Sequence, residues 1–192
     1  MTDPGEERID RLDQAGRTIG VVSRAEMRRG NLLHRVSETF VFHSDGRLFV
    51  QIRAPGKDLL PGWHDLVVGG TVQSGESAAA NACREVAEEL GVRGVPLFPL
   101  FQHRYRDSLT DSLVHAFACT HDGPMVLQPE EVAGGFWVAP GEVERLAERE
   151  NLCPSGRQAW RLLGEKFGHG RPLAQIAAEH RLEPVACGDK KN

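Results

Sequence analysis

Residues 70–92 read GTVQSGESAAANACREVAEELGV, and this stretch determines what can be predicted for the rest of the chain. Residues 77–90 have the periodicity of an amphipathic helix, whose apolar stripe consists of Ala79, Ala82, Val86 and Leu90, beside Cys83. Gly91 stands where a glycine commonly ends a helix. On this helix Glu85, Glu88 and Glu89 are spaced i, i+3 and i+4, so their carboxylates converge on one face.

Three converging carboxylates call for a compensating cation. Like charges at these spacings repel by a few tenths of a kcal/mol per pair in water, and by more when they are partly desolvated. Arg84 alone supplies too little positive charge, whereas carboxylate, backbone and water oxygens are the ligands that Mg²⁺ prefers. An isolated E-x-x-E-E would be interpreted as a solvent-exposed helix face, because glutamate is a good helix former. The surrounding residues decide between these two interpretations.

The whole stretch resembles the Nudix family, whose box reads G-x₅-E-x₇-R-E-U-x-E-E-x-G-U, where U is a bulky aliphatic residue. Every specified position is filled, by Gly70, Glu76, Arg84, Glu85, Val86, Glu88, Glu89, Gly91 and Val92. The resemblance implies an α/β fold, the Nudix α/β/α sandwich with a mixed sheet. Here that sandwich would carry an N-terminal hairpin extension and C-terminal helices.

The resemblance also implies catalytic roles for the box residues. Glu85, Glu88 and Glu89 would hold Mg²⁺, with Mn²⁺ as an alternative, helped by the backbone carbonyl of Gly70. Arg84 and Glu76 would form the polar pair that orients the loop and the glutamates. The metal would activate water and offset the charge of a diphosphate substrate, and one glutamate could deprotonate that water.

Residues 7–70 are similar to the branch of the family that contains isopentenyl diphosphate isomerases and their hydrolase relatives. The recurring features are His34-Arg35, Arg53, Lys57 and Pro61-Gly62. Arg53 and Lys57 lie beside the loop that leads to the box, so we predict that they contact substrate phosphates. Solvated surface charge is the alternative interpretation of both residues.

Isomerase chemistry is a competing prediction that the sequence disfavours. By spacing, the catalytic cysteine, the histidine and the glutamate pair that it requires fall on Gly69, Thr71, Thr110 and Ser112. We therefore predict hydrolysis of a diphosphate linkage in a nucleoside di- or triphosphate or a related nucleoside diphosphate derivative. Nucleotide sugars and isoprenoid diphosphates are the next substrate classes that we would expect. A non-catalytic nucleotide-binding module is the third hypothesis, and the intact glutamates argue against it.

Two further acids, Glu130 and Glu131, precede the apolar segment 136–140, where Nudix enzymes often supply an additional base or metal ligand. Surface solvation is the alternative for both, and Asp107 and Asp111 are weaker candidates of the same kind.

Recognition of a nucleobase usually involves an aromatic stacking partner. Tyr105, Phe136 and Trp137 are available for that role.

Alternating and periodic apolar patterns divide the rest of the chain. A hairpin over residues 8–22 and a second over 39–53, around Ser44-Asp45-Gly46, precede the box. Strands at 96–106, 111–121 and 136–140 follow, then helices at 141–149, 155–167 and 173–181. We expect an N-terminal tail and hairpin extension at 1–33, the hydrolase domain at 34–167, and a short helix and tail at 168–192.

The composition of the chain limits the kinds of partner that the protein is expected to bind. The net charge of −4 gives no basis for binding a nucleic acid polymer, and no apolar run approaches a membrane span. Four cysteines without a C-x-x-C pair indicate reduced structural thiols rather than a zinc site or a disulfide framework. The acidic N-terminus lacks a signal-peptide pattern, so we expect a cytoplasmic enzyme with a small-molecule substrate, and a homodimer stays open.

Overall fold

The computed structural model describes residues 4–188, which form nine strands and five α-helices. The strands are β1 (Arg8–Leu12), β2 (Thr18–Ser23), β3 (His34–Phe42), β4 (Leu48–Arg53), β5 (His64–Asp65), β6 (Val68–Thr71), β7 (Phe98–Arg106), β8 (Asp111–Thr120) and β9 (Val132–Val138). The helices are α1 (Arg24–Gly30), α2 (Ala78–Leu90), α3 (Val143–Arg149), α4 (Pro154–Phe167) and α5 (Leu173–His180). The outermost parts of both predicted tails, residues 1–3 and 189–192, lie outside the described residues.

Seven strands form one mixed sheet, with β5-β4-β3-β8-β7 as its main order. The predicted hairpin of β3 and β4 is confirmed, but the two strands pair at Phe42 and Leu48, next to the turn, and then diverge. Beyond that point β3 pairs with β6 and, in parallel, with β8, while β4 pairs with β5 and β9. The divergence of β3 and β4 opens a cleft in the sheet.

Helices cover both faces of this sheet. Because neighbouring strand residues point to opposite faces, Phe40 of β3 packs with Trp160 of α4, whereas Val41 packs with Val86 of α2. The predicted α/β/α sandwich is therefore confirmed. Within residues 4–188, no helix has both the length and the apolar character needed to cross a bilayer.

The box helix α2 forms as the sequence predicts. The Ser77 side chain accepts a hydrogen bond from the backbone N–H of Ala80, and Gly91 ends the helix with a φ of 69°. Ala82, Val86 and Leu90 are buried against the sheet. Glu89 is buried as well, which the apolar stripe alone does not predict.

The N-terminal hairpin of β1 and β2 packs against the loop that leads into α2. Ile9 is fully buried and forms a β-bridge with Gln73, and the Ser74 N–H donates to the carbonyl oxygen of Arg8 at 2.7 Å. The hairpin extension therefore helps to fix the start of the box loop.

The C-terminal segment returns to both faces of the sandwich. Leu173 and Ile176 of α5 join the core around Trp160, and Val185 forms an antiparallel bridge with Leu97.

The expectation of four reduced thiols is wrong for one pair of cysteines, because Cys83 on α2 and Cys187 form a disulfide. Sequence spacing hides this pair, since the fold brings together residues that lie 104 positions apart to a Cα–Cα distance of 5.4 Å. Cys119 and Cys153 are free and buried.

Candidate active site

A cleft of about 280 Å³ lies where β3 and β4 diverge. At one end it is lined by the box glutamates of α2 and by Lys57 and Glu131 from two loops. At the other end it reaches Glu38 of β3 and Ser155 at the start of α4. The cleft is close in size to small-molecule binding sites, which commonly start near 300 Å³.

Two glycines bring β6 against its neighbours at the box end. A Cβ at Gly70 would lie 2.6 Å from Oε1 of Glu85, so the backbone of Gly70 and this carboxylate share one small space. A Cβ at Gly69 would lie 1.9 Å from the carbonyl oxygen of Ser37, which leaves no room for a side chain. The position where an isomerase needs its cysteine can therefore hold only glycine on this backbone.

Arg84 contacts three of the box acids. Its Nε lies 3.2 Å from Oε1 of Glu76. Its Nη2 lies 2.9 Å from Oε1 of Glu85, and its Nη1 lies 2.9 Å from Oε2 of Glu88. The structure brings together Arg84 and Glu76, the two residues predicted to form an orienting pair. Arg84 thus ties the loop before α2 to the carboxylates on the helix.

Asn81 is a second organising residue, which the sequence analysis missed. Its side-chain amide donates to the carbonyl oxygen of Thr71 at 3.1 Å and to Oε2 of Glu76 at 3.0 Å, and its Oδ1 accepts from the Ser37 hydroxyl at 2.6 Å. Asn81 is fully buried one turn before Glu85. A polar amide on the otherwise apolar, inward face of an amphipathic helix was the signal that could have revealed it.

Lys57 reaches the last box glutamate from the loop after β4. Its Nζ lies 3.6 Å from Oε1 of Glu89 and forms an ion pair with Glu131. Burial raises the pKa of Glu89 to about 8, although the Lys57 charge opposes that shift, and burial also raises the pKa of Glu85. The raised pKa values mean that the positive charge near Glu85 and Glu89 is too small to offset the cost of burying both carboxylates in their ionised form.

A divalent cation fits this deficit, since it would supply positive charge beside carboxylate and backbone oxygens. In the arrangement seen, however, Glu88 is turned towards Arg84 and half of its side chain is exposed. Within residues 4–188, no three His, Cys, Asp or Glu side chains are grouped as ligands for one metal ion. Binding a metal would thus require Arg84 and Lys57 to give up carboxylate contacts.

The remaining predicted residues divide between the cleft and the surface. Arg53 lines the cleft, but its Nε and Nη2 donate to the carbonyl oxygens of Leu59 and Leu60, which holds the loop after β4. Glu131 lines the cleft, whereas Glu130 is exposed outside it.

Of the three aromatic candidates, Tyr105 lines the cleft, where its hydroxyl donates to Asp107 at 2.7 Å. Trp137 instead packs edge-on against Phe49, and Phe136 packs against His64. Asp111 is held by Arg104 at 2.7 Å.

Two further buried acids lie at the opposite end of the cleft. The Ser155 hydroxyl donates to Oε1 of Glu38, while Oε2 of Glu38 has no hydrogen-bond partner among the described residues. Asp65 accepts a hydrogen bond from the Val67 N–H at 3.4 Å. Burial raises the pKa of Glu38 to about 8 and that of Asp65 to about 6. Nothing in the sequence pattern around Glu38 sets it apart from an ordinary strand residue.

Comparison with known proteins places the chain in a family. The NUDIX domain model matches residues 32–157. The uncharacterised Nudix hydrolase YfcD of Shigella flexneri is 36% identical over 173 residues, which cover 90% of this chain and 95% of that protein. An uncharacterised Nudix hydrolase of Yersinia pestis is 37% identical over 137 residues, which cover 71% of this chain and 75% of that protein.

Solved structures agree with the fold. The crystal structure of DR0079 from Deinococcus radiodurans aligns with a TM-score of 0.71 and 28% identity, over 81% of this chain and 98% of that one. The MutT protein of Methanosarcina mazei has the same fold, with a TM-score of 0.57 and 19% identity over 78% of this chain and 96% of that one. Together with the complete box on α2, these matches show that the chain belongs to the Nudix hydrolase family, whose members act on phosphorus-containing acid anhydrides.

Proposed function

We propose that this protein is a Mg²⁺-dependent hydrolase, with Mn²⁺ as an alternative metal, that cleaves a diphosphate linkage in a nucleoside di- or triphosphate or a related nucleoside diphosphate derivative. The observation that carries the proposal is the placement of two carboxylates in one cleft, where Glu89 is buried and Glu85, largely buried, lies against the backbone of Gly70. Burying carboxylates without enough positive charge is costly unless a ligand supplies it.

Each group at this end of the cleft has a defined task in the proposal. Glu85, Glu88, Glu89 and the carbonyl of Gly70 hold the metal, which when bound lowers the pKa of water and offsets phosphate charge. Arg84, Glu76 and Asn81 fix the glutamates by hydrogen bonds. Lys57 and Arg53 contact the substrate phosphates.

The proton released from the attacking water needs an acceptor. Glu131 is the candidate outside α2, since it lies in the cleft and is tethered through Lys57 to the box. Glu130 is a weaker candidate because its side chain points to solvent outside the cleft. A box glutamate that is not occupied by the metal is the other choice.

The competing functions are weakened by particular residues. The close approach of Gly69 to Ser37 leaves no space for the cysteine that an isomerase needs. A non-catalytic binding module would have no use for a complete set of box glutamates. Similarity to the isomerase-containing branch stays a prediction about ancestry. We also propose that residues 34–167 form the hydrolase domain, flanked by the extensions at 1–33 and 168–192.

The test is a screen of phosphorylated compounds with Mg²⁺ or Mn²⁺, covering nucleoside di- and triphosphates, nucleotide sugars and isopentenyl diphosphate. Released phosphate is measured first, and the products are then identified by mass spectrometry. We expect metal-dependent cleavage between two phosphorus atoms, and none by a Glu85→Gln, Glu89→Gln double variant. Equal turnover by that double variant, or no turnover of any diphosphate, would refute the proposal.

A further inference from the structure

Lys57 occupies the position at which a cation would be expected. Its ammonium group lies between Glu89 of α2 and Glu131 of the loop before β9, and both it and Glu89 are largely buried. Without a metal, Lys57 is therefore the cation that compensates Glu89. Arg84 plays the corresponding part for Glu85 and Glu88.

The loop that carries Lys57 is anchored independently of its side chain. The Ala54 N–H donates to the carbonyl oxygen of Glu131 at 2.9 Å, and the Lys57 N–H donates to the carbonyl oxygen of Ala54 at 3.2 Å. Arg53 holds the far end of the same loop through Leu59 and Leu60. Because these anchors are backbone bonds or belong to Arg53, the Lys57 side chain can change partner while the loop keeps its place.

Two cations cannot share one buried carboxylate without strong repulsion. Like charges a few ångströms apart repel more strongly in a partly buried site than in water, because the effective dielectric constant is lower there. A divalent ion bound to Glu89 would repel the Lys57 ammonium, while the phosphates of a substrate would attract it. We infer that Lys57 is an internal counter-ion of the metal site, which a divalent cation displaces from Glu89 and thereby releases to contact substrate phosphate.

This inference, which rests on the proposed function, makes Lys57 a positioning residue with two opposite effects. Before substrate binds, Lys57 competes with the metal and weakens its binding. After the metal binds, Lys57 adds a phosphate contact. The order of binding is then metal first and substrate second. A purely structural lysine would show neither effect, and damage to the site would weaken metal binding rather than strengthen it.

The test is calorimetric titration of the full chain with Mn²⁺ alone, in the absence of any phosphate. We expect Lys57→Met to bind Mn²⁺ more tightly than wild type, by about five-fold or more, because a competing charge has been removed. Lys57→Arg, which keeps the charge, should restore an affinity close to wild type. Lys166→Met removes the same charge from the exposed end of α4 and should leave Mn²⁺ affinity unchanged.

Circular dichroism confirms the fold of each variant, and Lys57→Gln replaces Lys57→Met if the latter does not fold. Equal or weaker Mn²⁺ binding by the folded variant would overturn the inference. If wild type binds no more Mn²⁺ than Glu89→Gln does, the metal site itself is wrong and the proposed function fails instead. The two failures are therefore distinguishable.

Discussion

The two ends of the cleft each hold a pair of buried acids, but they satisfy those acids in different ways. At the α2 end, Glu85 and Glu89 face the cationic side chains of Arg84 and Lys57. At the α4 end, Glu38 accepts from the Ser155 hydroxyl.

Asp65, also at the α4 end, accepts from a backbone N–H and forms an ion pair with Arg53, whose Nη1 lies 3.8 Å from Oδ2 and which is itself anchored to the carbonyl oxygens of Leu59 and Leu60. Burial raises the pKa of all four carboxyl groups.

The comparison shows that burial alone does not identify a metal site. A carboxylate that is compensated by a long cationic side chain can exchange that partner for a metal ion or for substrate. Glu38 is held by a hydroxyl and has no cationic partner to exchange, so burial favours its protonated form. We therefore propose metal chemistry at the α2 end and a structural role for Glu38 at the α4 end.

The largest expected effect is a difference in turnover between variants at the two ends of the cleft. Glu89→Gln keeps the size of the side chain but removes a ligand charge, so turnover on a substrate from the screen should fall on the order of 10²-fold or more. Glu38→Gln, made as the matched control in the same cleft, should keep turnover within about ten-fold of wild type, because the neutral amide imitates a protonated carboxyl. Steady-state kinetics at saturating Mg²⁺ measures the turnover of both variants. Similar losses of turnover in Glu89→Gln and Glu38→Gln would contradict the proposed difference between the two ends of the cleft.

The next effect concerns the packing behind the α4 end. Ile176 of α5 is buried in the core that contains Trp160, so Ile176→Ala should lower the free energy of unfolding by about 2–4 kcal/mol. Gln175→Ala changes the exposed face of the same helix and should have little effect. Urea denaturation measures both variants, and Mn²⁺ affinity should stay at the wild-type value.

Ile176→Ala also tests whether the C-terminal piece from residue 168, a short amphipathic segment with a polar end, is dispensable for metal chemistry, as we expect. The structure gives this piece a share of the core. A loss of Mn²⁺ binding by folded Ile176→Ala protein would show that the two roles are not separate.

A smaller effect is the pH dependence that Glu38 imposes on stability. Its pKa of about 8 in the folded protein lies above the ordinary value of about 4.3, so the folded state retains a proton that the unfolded chain releases. The contribution of Glu38 to stability is therefore fully present below pH 4.3 and is lost as the pH rises to about 8. Glu38→Gln cannot ionise, so its stability relative to wild type should rise by about 2.5 kcal/mol between pH 5 and pH 7.

Urea denaturation of wild type and Glu38→Gln across this range measures the difference. Glu130→Gln, on an exposed glutamate, is the control and should show no such trend. A constant difference between Glu38→Gln and wild type would mean that Glu38 is ionised in the folded protein. It would then resemble the acids of the α2 end.

Local patterns were sufficient to predict α2 and its box. The helix depends on neighbouring residues, a Ser77 cap and a Gly91 end, and the glutamate spacing fixes which side chains share a face. The β3–β4 hairpin was equally visible from its turn. These features could be predicted because each is determined by residues within a few positions of one another.

Long-range partners could not be predicted in the same way. The pairing of Lys57 with Glu89, the position of Glu38 beside Ser155 and the Cys83–Cys187 disulfide all join segments far apart in the chain. They depend on where β3 and β4 diverge and on the return of the C-terminal segment to α2. No single stretch of sequence encodes those distances.

The most direct test of the central claim is a crystal of the full chain soaked in Mn²⁺, with the ion located by its anomalous scattering. We predict an ion in contact with at least two of Glu85, Glu88 and Glu89, Lys57 moved away from Glu89, and no ion beside Glu38 or Asp65. A box without metal at saturating Mn²⁺, with Lys57 still paired to Glu89, would contradict the account.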